Sequence, residues 1–272
     1  MDDFYMKIYK TNMYKIVIFL LCVVIFVVLF INCCSTNVEG FDQMIRMYVI
    51  SLRHEDRMKN IKIQEEKIKN NIIIFDAVKG DQLNIQQLLN DGIIDKTFEN
   101  ASKKEKRVIG CYMSHLHLLK QINNEMDGDN AVGYSIIFED DFVIPIDHFL
   151  YETHTIITKL NSKKIDFDFI FLGNCSNNVG ENMFDNVYKV NPQQNLYGTH
   201  GYIVNNKKIN KILDKIKFID SPIDNKYESL ARENELTIFV IHPNIVHYAG
   251  DELPSNINDL SIENFSLNYS VI

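Results

Sequence analysis

Apolar residues along this chain come in short blocks set between charged stretches, and the period of the blocks changes as the chain proceeds. Residues 47–52, Met-Tyr-Val-Ile-Ser-Leu, form a nearly unbroken apolar run, the pattern of a strand covered on both faces. The charged stretch 54–70 carries Met58, Ile61 and Ile68 near helical spacing, and 72–75 reads as a second strand. In 108–122, Tyr112, His115, Leu116 and Leu119 recur at three- and four-residue steps and predict a helix. Residues 134–138 then read as a buried strand, 149–160 as a helix and 167–172 as a strand. Segments 202–204, 207–216 and 236–241 continue the alternation, which implies an α/β fold with a mainly parallel sheet flanked by helices.

One block is different in kind. Residues 16–31 are 16 consecutive apolar residues, extended by Tyr14 and by Cys33 and Cys34. A spanning helix needs about 20 apolar residues, about 17 at the low end, so the run lies between a membrane span and a signal-peptide core. Lys7, Lys10 and Lys15 precede it and no Lys or Arg follows before Arg46. That asymmetry predicts a single-pass type II membrane protein with its body lumenal or exterior. No small-residue cleavage site of the A-x-A kind follows the run. The expected organisation is a cytoplasmic tail 1–13, a transmembrane anchor 14–34, a stem 35–45 and a catalytic domain 46–272. On the far side of a membrane the sequons at Asn100, Asn174, Asn264 and Asn268 would become candidate glycan acceptors.

Bulk composition narrows the classes. With 272 residues, 46% hydrophobic and 24% charged, the chain is globular in character. Its net charge of −8 and pI near 5.5 argue against a dedicated nucleic-acid binder, which would carry a basic footprint. Five cysteines (22, 33, 34, 111 and 175) offer no C-x-x-C pair and no zinc-like spacing. A Cys111–Cys175 bridge is one reading of the last two, and a pair of buried thiols is the other.

The candidate chemistry sits where the strand 134–138 runs into Glu139, Asp140 and Asp141. Three adjacent carboxylates have no place unpaired in a core, and the carboxyl ends of strands are where open α/β sheets bind ligands. Hard cations such as Mg²⁺ and Mn²⁺ take carboxylate oxygens together with substrate phosphates. An acidic loop or helix start would account for the triplet equally well.

Seven segments, in order, resemble glycosyltransferase family 25, which includes lipopolysaccharide galactosyltransferases and the collagen galactosyltransferase domain. They are Tyr48-Val49-Ile50-Ser51-Leu52-Arg53 with Arg57; Phe75-Asp76-Ala77-Val78 with Gly80; and Gly110-Cys111-Tyr112-Met113-Ser114-His115. Ile137-Phe138-Glu139-Asp140-Asp141 follows, then Asp166-Phe167-Asp168 leading to Leu172-Gly173, Gly198-Thr199-His200-Gly201-Tyr202, and Pro222-Ile223-Asp224. With the ending Leu253-Pro254-Ser255-Asn256-Ile257, the resemblance extends over roughly residues 46–257. Ser51 stands where the family usually has Asn, and Asn256 where it usually has Asp.

The resemblance implies a GT-A architecture, a nucleotide-sugar donor of the UDP class, Mn²⁺ (or Mg²⁺) and inversion at the sugar carbon. It points to Asp141 as the first metal ligand and Glu139 as the second, with His247 as a late imidazole ligand or, equally, a hydrogen-bonded core histidine. Ile50, Leu52, Arg53, Arg57, Ser114, His115 and Asp140 would line the donor site. Arg53 and Arg57 are candidate phosphate contacts, and exposed helix charges if not. Asp224 is the candidate general base, with Asp251 in reserve, since an inverting displacement needs one carboxylate to take the acceptor's proton. The expected activity is hexose transfer, galactose or glucose, to a protein hydroxylysine or a glycan hydroxyl. An inactive sugar-binding or membrane-tethered scaffold is the alternative from another class. A metal-dependent phosphoesterase would want further Asp or His ligands at other strand ends, and the spacings offer no evident set.

Overall fold

The computed structural model describes residues 19–26, 45–126, 132–176, 180–190 and 196–250. The chain divides into two compact units, residues 1–43 and 44–272. In the first, helix α1 (residues 19–26) has exposed side chains. Among the described residues no helix is long and apolar enough to cross a membrane. The remainder of the expected anchor 14–34, the stem 35–44 and the sequons at Asn264 and Asn268 lie outside the described residues.

The second unit contains β1 (Ile45–Ser51), α2 (Glu55–Ile68), β2 (Ile73–Asp76), α3 (Ile85–Asn90), α4 (Lys103–Asn124), β3 (Tyr134–Glu139) and β4 (Phe142–Val143). It continues with α5 (Phe149–Ser162), β5 (Phe169–Phe171), β6 (Glu181–Phe184), β7 (Val187–Lys189), β8 (Gly201–Asn205), α6 (Ile209–Ile216), α7 (Ile223–Arg232), β9 (Ile238–Ile241) and β10 (His247–Tyr248). Eight strands form one sheet in the order β2-β1-β3-β8-β5-β9-β7-β6. Parallel pairing joins β2, β1 and β3, and also β5 and β9. β8 runs antiparallel to both of its neighbours, β3 and β5, and β7 is antiparallel to β9 and β6. Six of the eight strands thus share a direction, with β8 and β7 reversed. Reversal of β8 is invisible in its sequence, because a strand buried on both faces reads the same in either direction.

Helix α4 organises the core. It begins at Lys103, five residues before its apolar periodicity, because Ser102 and Glu105 form a capping box. The Ser102 N–H donates to Glu105 Oε2 at 2.7 Å, and the Glu105 N–H donates to Ser102 Oγ at 3.3 Å. Its inner face carries Tyr112, Leu116, Leu119 and Ile122 into a cluster with Phe169, Tyr202, Ile212 and Tyr227. The outer turn of α4 meets the segment after β2 at backbone distance. A Cβ on Gly110 would sit 2.8 Å from Val78 O and from Gly80 N, and one on Gly80 only 2.3 Å from Lys106 O. Ser114 closes the contact, accepting from the Val78 N–H at 2.8 Å and donating to Gly110 O at 2.7 Å.

Asp168 pins three elements together. Its Oδ2 accepts from Lys211 Nζ of α6 at 2.8 Å and from the Thr237 N–H, just before β9, at 2.7 Å. Asn174 is buried at 5% exposure with its Oδ1 accepting from the Ser176 and Tyr197 N–H groups, so that sequon is structural in the folded chain. Asn100 is exposed.

Candidate functional site

β3 delivers Glu139 to a junction. Its Cα is in register with Ile50 of β1 on the parallel side, while on the antiparallel side its N–H donates to His200 O at 3.3 Å. The Glu139 carboxylate accepts from the Thr199 hydroxyl and lies 3.3 Å from His115 Nε2, while His115 Nδ1 lies 2.8 Å from the Tyr202 hydroxyl. Burial works against its charge, but the His115 and Thr199 hydrogen bonds and the nearby His200 hold this carboxyl below the usual range.

Asp140 turns back toward β1. The Ser51 hydroxyl donates to its Oδ2 at 2.7 Å, the Leu52 N–H also donates to it, and Arg57 Nη1 stands 3.5 Å from Oδ1. Asn60 Nδ2 secures the turn, donating to Asp140 O at 3.1 Å and to Phe142 O at 2.9 Å. Asp141 receives the same guanidinium at 3.0 Å on Oδ2, while its buried Oδ1 has no hydrogen-bond partner. Burial, then repulsion from Glu139, pushes the Asp141 carboxyl up to about 6.

Of the sequence candidates, Ile50, Leu52, Glu139, Asp140 and Asp141 sit at or just past the carboxyl ends of β1 and β3, His115 reaches Glu139 from α4, and Ser114 is engaged in the contact of α4 with Val78 after β2. Arg57 is buried at 4% side-chain exposure in its pairs with Asp140 and Asp141. Arg53 is half exposed and pairs with the exposed Asp76. β10 pairs with β4, placing His247 opposite Val143, and the Ala249 N–H donates to Asp141 O at 2.7 Å, so the backbone of this segment lies beside the acidic turn. Burial lowers the His247 pKa. Asp224 opens α7, and its Oδ2 accepts from the Gly198 N–H at 3.1 Å. Gly198 adopts φ +84°, which leaves glycine as the residue that carries this turn without strain. Asp251 lies outside the described residues.

Two thiols face the same space. Burial, with the charges of Glu139, Asp224 and Asp141, drives Cys111 well above its ordinary value, and burial with Asp224, Glu139 and Asp141 brings Cys175 to about 11. Both are free thiols, so the bridge reading of this pair is not realised. Among the described residues, the trio whose ligand atoms fall within 4.8 Å of one another is Cys111, His115 and Glu139, rather than Glu139, Asp141 and His247.

Thr199, His200 and Tyr202 belong to the Gly198–Tyr202 motif, and their place around Glu139 comes from the fold. His200 is 4% exposed with Nε2 lacking a hydrogen-bond partner, and burial, opposed by Glu139, takes its pKa down to about 4. The run Gly198–Tyr202, small and polar residues leading into a buried strand, was the available signal.

A family-wide sequence model described as "Glycosyltransferase family 25 (LPS biosynthesis protein)" matches residues 44–227. The chain belongs to glycosyltransferase family 25. Procollagen galactosyltransferase 1-A of Xenopus laevis is 26% identical over a 236-residue alignment that covers 78% of this chain and 37% of that protein's length. The chain therefore spans little more than a third of this relative. A solved structure of UDP-glucose pyrophosphorylase complexed with UDP-glucose aligns with 9% identity and a TM-score of 0.37 over 73% of this chain and 90% of its own.

Proposed function

We propose that this family 25 domain transfers a hexose, galactose or glucose, from a UDP-sugar to a protein or glycan hydroxyl with the help of Mn²⁺. The observation that carries the proposal is the crowding of Glu139, Asp140 and Asp141 at the end of β3, with an Asp141 oxygen buried and unpartnered. That orphan oxygen, on a carboxyl that burial and Glu139 push up, fits a hard cation, whose ligands would be Asp141 and then Glu139 and His247. A bound cation there supplies compensation for the charge that builds on a departing nucleoside diphosphate.

The chain's own residues do the rest. Ser51, Leu52 and Arg57 hold Asp140 and Asp141 in place, so the site is set before the donor arrives. Asp224, fixed by the Gly198 N–H and close enough for its charge to reach both thiols, is the base that takes the acceptor proton at a carboxylate oxygen. The procollagen galactosyltransferase relative favours galactose and a protein acceptor, and the apolar segment 16–31 favours a membrane-tethered enzyme.

The test is melting of the protein with Mn²⁺ and each of UDP-galactose and UDP-glucose, paired with turnover. The donor that stabilises wild type should fail to stabilise Asp141→Ala, with activity down at least about a hundredfold. Asp224→Asn should keep the donor shift while kcat falls about 10²–10⁴-fold. A wild type that no UDP-sugar stabilises would instead favour the scaffold role.

A further inference from the structure

Asp140 and Asp141 share the Arg57 guanidinium, whereas Glu139 has partners of its own. Glu139 faces α4, where Cys111 and His115 stand one helical turn apart on the same side. The His115 Nε2 to Glu139 Oε1 distance of 3.3 Å is long for a charge-assisted hydrogen bond, which runs about 2.7–2.9 Å. It equals the N···O edge of a zinc tetrahedron, since bonds of about 2.0–2.1 Å at a tetrahedral angle place the two atoms about 3.4 Å apart. The sulfur lies within 4.8 Å of both, and an inward shift of about 1 Å brings it to the edge that a Zn–S bond of about 2.3 Å requires.

We propose that Cys111, His115 and Glu139 form a binding site for a thiophilic divalent cation of the zinc class. The outer partners suit it. The Tyr202 hydroxyl at 2.8 Å from Nδ1 fixes the far nitrogen of His115, and the Thr199 hydroxyl orients the Glu139 carboxylate. Burial, and then the charges of Glu139, Asp224 and Asp141, oppose a bare Cys111 thiolate, and those same charges favour a cation beside it. As the sulfur–metal bond forms, the thiol proton leaves to solvent. Three protein ligands leave a fourth position open, the arrangement of zinc sites that take water or substrate. A cation held here engages Glu139 and so competes with its use beside Asp141. The inference does not rest on the transferase reading, because the spacing of the three ligand atoms carries it and Cys111 has no part in that reading.

Titration of the metal-depleted full chain with Co²⁺ tests it, since a thiolate bound to cobalt shows an intense near-ultraviolet charge-transfer band. One equivalent should produce the band, and Zn²⁺ should displace it. Cys111→Ser should abolish it, while Cys175→Ser and Asp141→Ala should keep it. In wild-type protein, Zn²⁺ should also slow alkylation of Cys111 about tenfold or more, a readout that needs no variant to fold. Absence of the band, its survival in Cys111→Ser, or unprotected alkylation would overturn the site. Loss of the band in folded Asp141→Ala would overturn it as well, by making the cation the same one that serves the donor. Asp141→Ala losing donor stabilisation while keeping the band separates the two readings.

Discussion

The two outer carboxyls of the triplet at the end of β3 are driven in opposite directions, Glu139 below its ordinary range and Asp141 up to about 6. A carboxyl near 6 in the fold and about 3.9 in the unfolded chain binds its proton more tightly when folded. Its contribution is therefore fully present below about pH 4 and is lost as pH rises toward 6. Above that pH the buried charge on Asp141 opposes folding of the metal-free protein. Asp141→Asn should raise metal-free stability near pH 7.5 by about 1–2 kcal/mol while removing Mn²⁺-dependent donor binding. A drop in melting temperature would show that the Arg57 pair outweighs the repulsion. His200 has the reverse sign. With its pKa near 4 in the fold against about 6.5 unfolded, its neutral form gives stability present above pH 6.5. That stability is lost as pH falls toward 4, on the order of 3 kcal/mol. His200→Gln should flatten the melting-temperature slope between those limits, and an unchanged slope would place the acid sensitivity elsewhere.

At the level of elements, the contact of α4 with the turn after β2 explains two motifs at once. Gly80 and Gly110 are glycines because backbone meets backbone there, and Ser114 seals the contact. Gly110→Ala must displace either α4 or the 78–80 turn, costing about 2–3 kcal/mol in urea unfolding. A neutral result would mean that the turn is free to move away. The long elements were legible in sequence because each has a period, three to four residues in α4 and an unbroken run in β1, β3 and β8. β4, β10 and the β6–β7 hairpin were not, since strands of two to four residues at a sheet's margin have neither length nor pattern. The capping box of α4 was present in the sequence but lay among charged residues that conceal a helix start.

For the whole molecule, the apolar run 16–31 and the lysines before it predict a body on the far side of a membrane from the N-terminus. In sealed vesicles, protease added outside should remove only the tail and leave the domain beyond residue 34 intact. Digestion of the domain would reverse the orientation.

Local chemistry was set by the chain alone. The acidic triplet at a strand end, the glycine-bearing turns and the order of the seven motifs are all properties of neighbouring residues, and they were enough to identify the family. What lies across the sheet was decided by the tertiary structure. The reversed β8 carries Tyr202, with Thr199 and His200 just before it, beside β3, and β10 returns His247 to the acidic end. α4 aims Cys111 and His115 at Glu139, and Arg57 is buried against Asp140 and Asp141. These partners are 24 to 108 residues apart in the chain, and no local period encodes such pairings. Only packing, which must satisfy every buried charge and polar group at once, selects them.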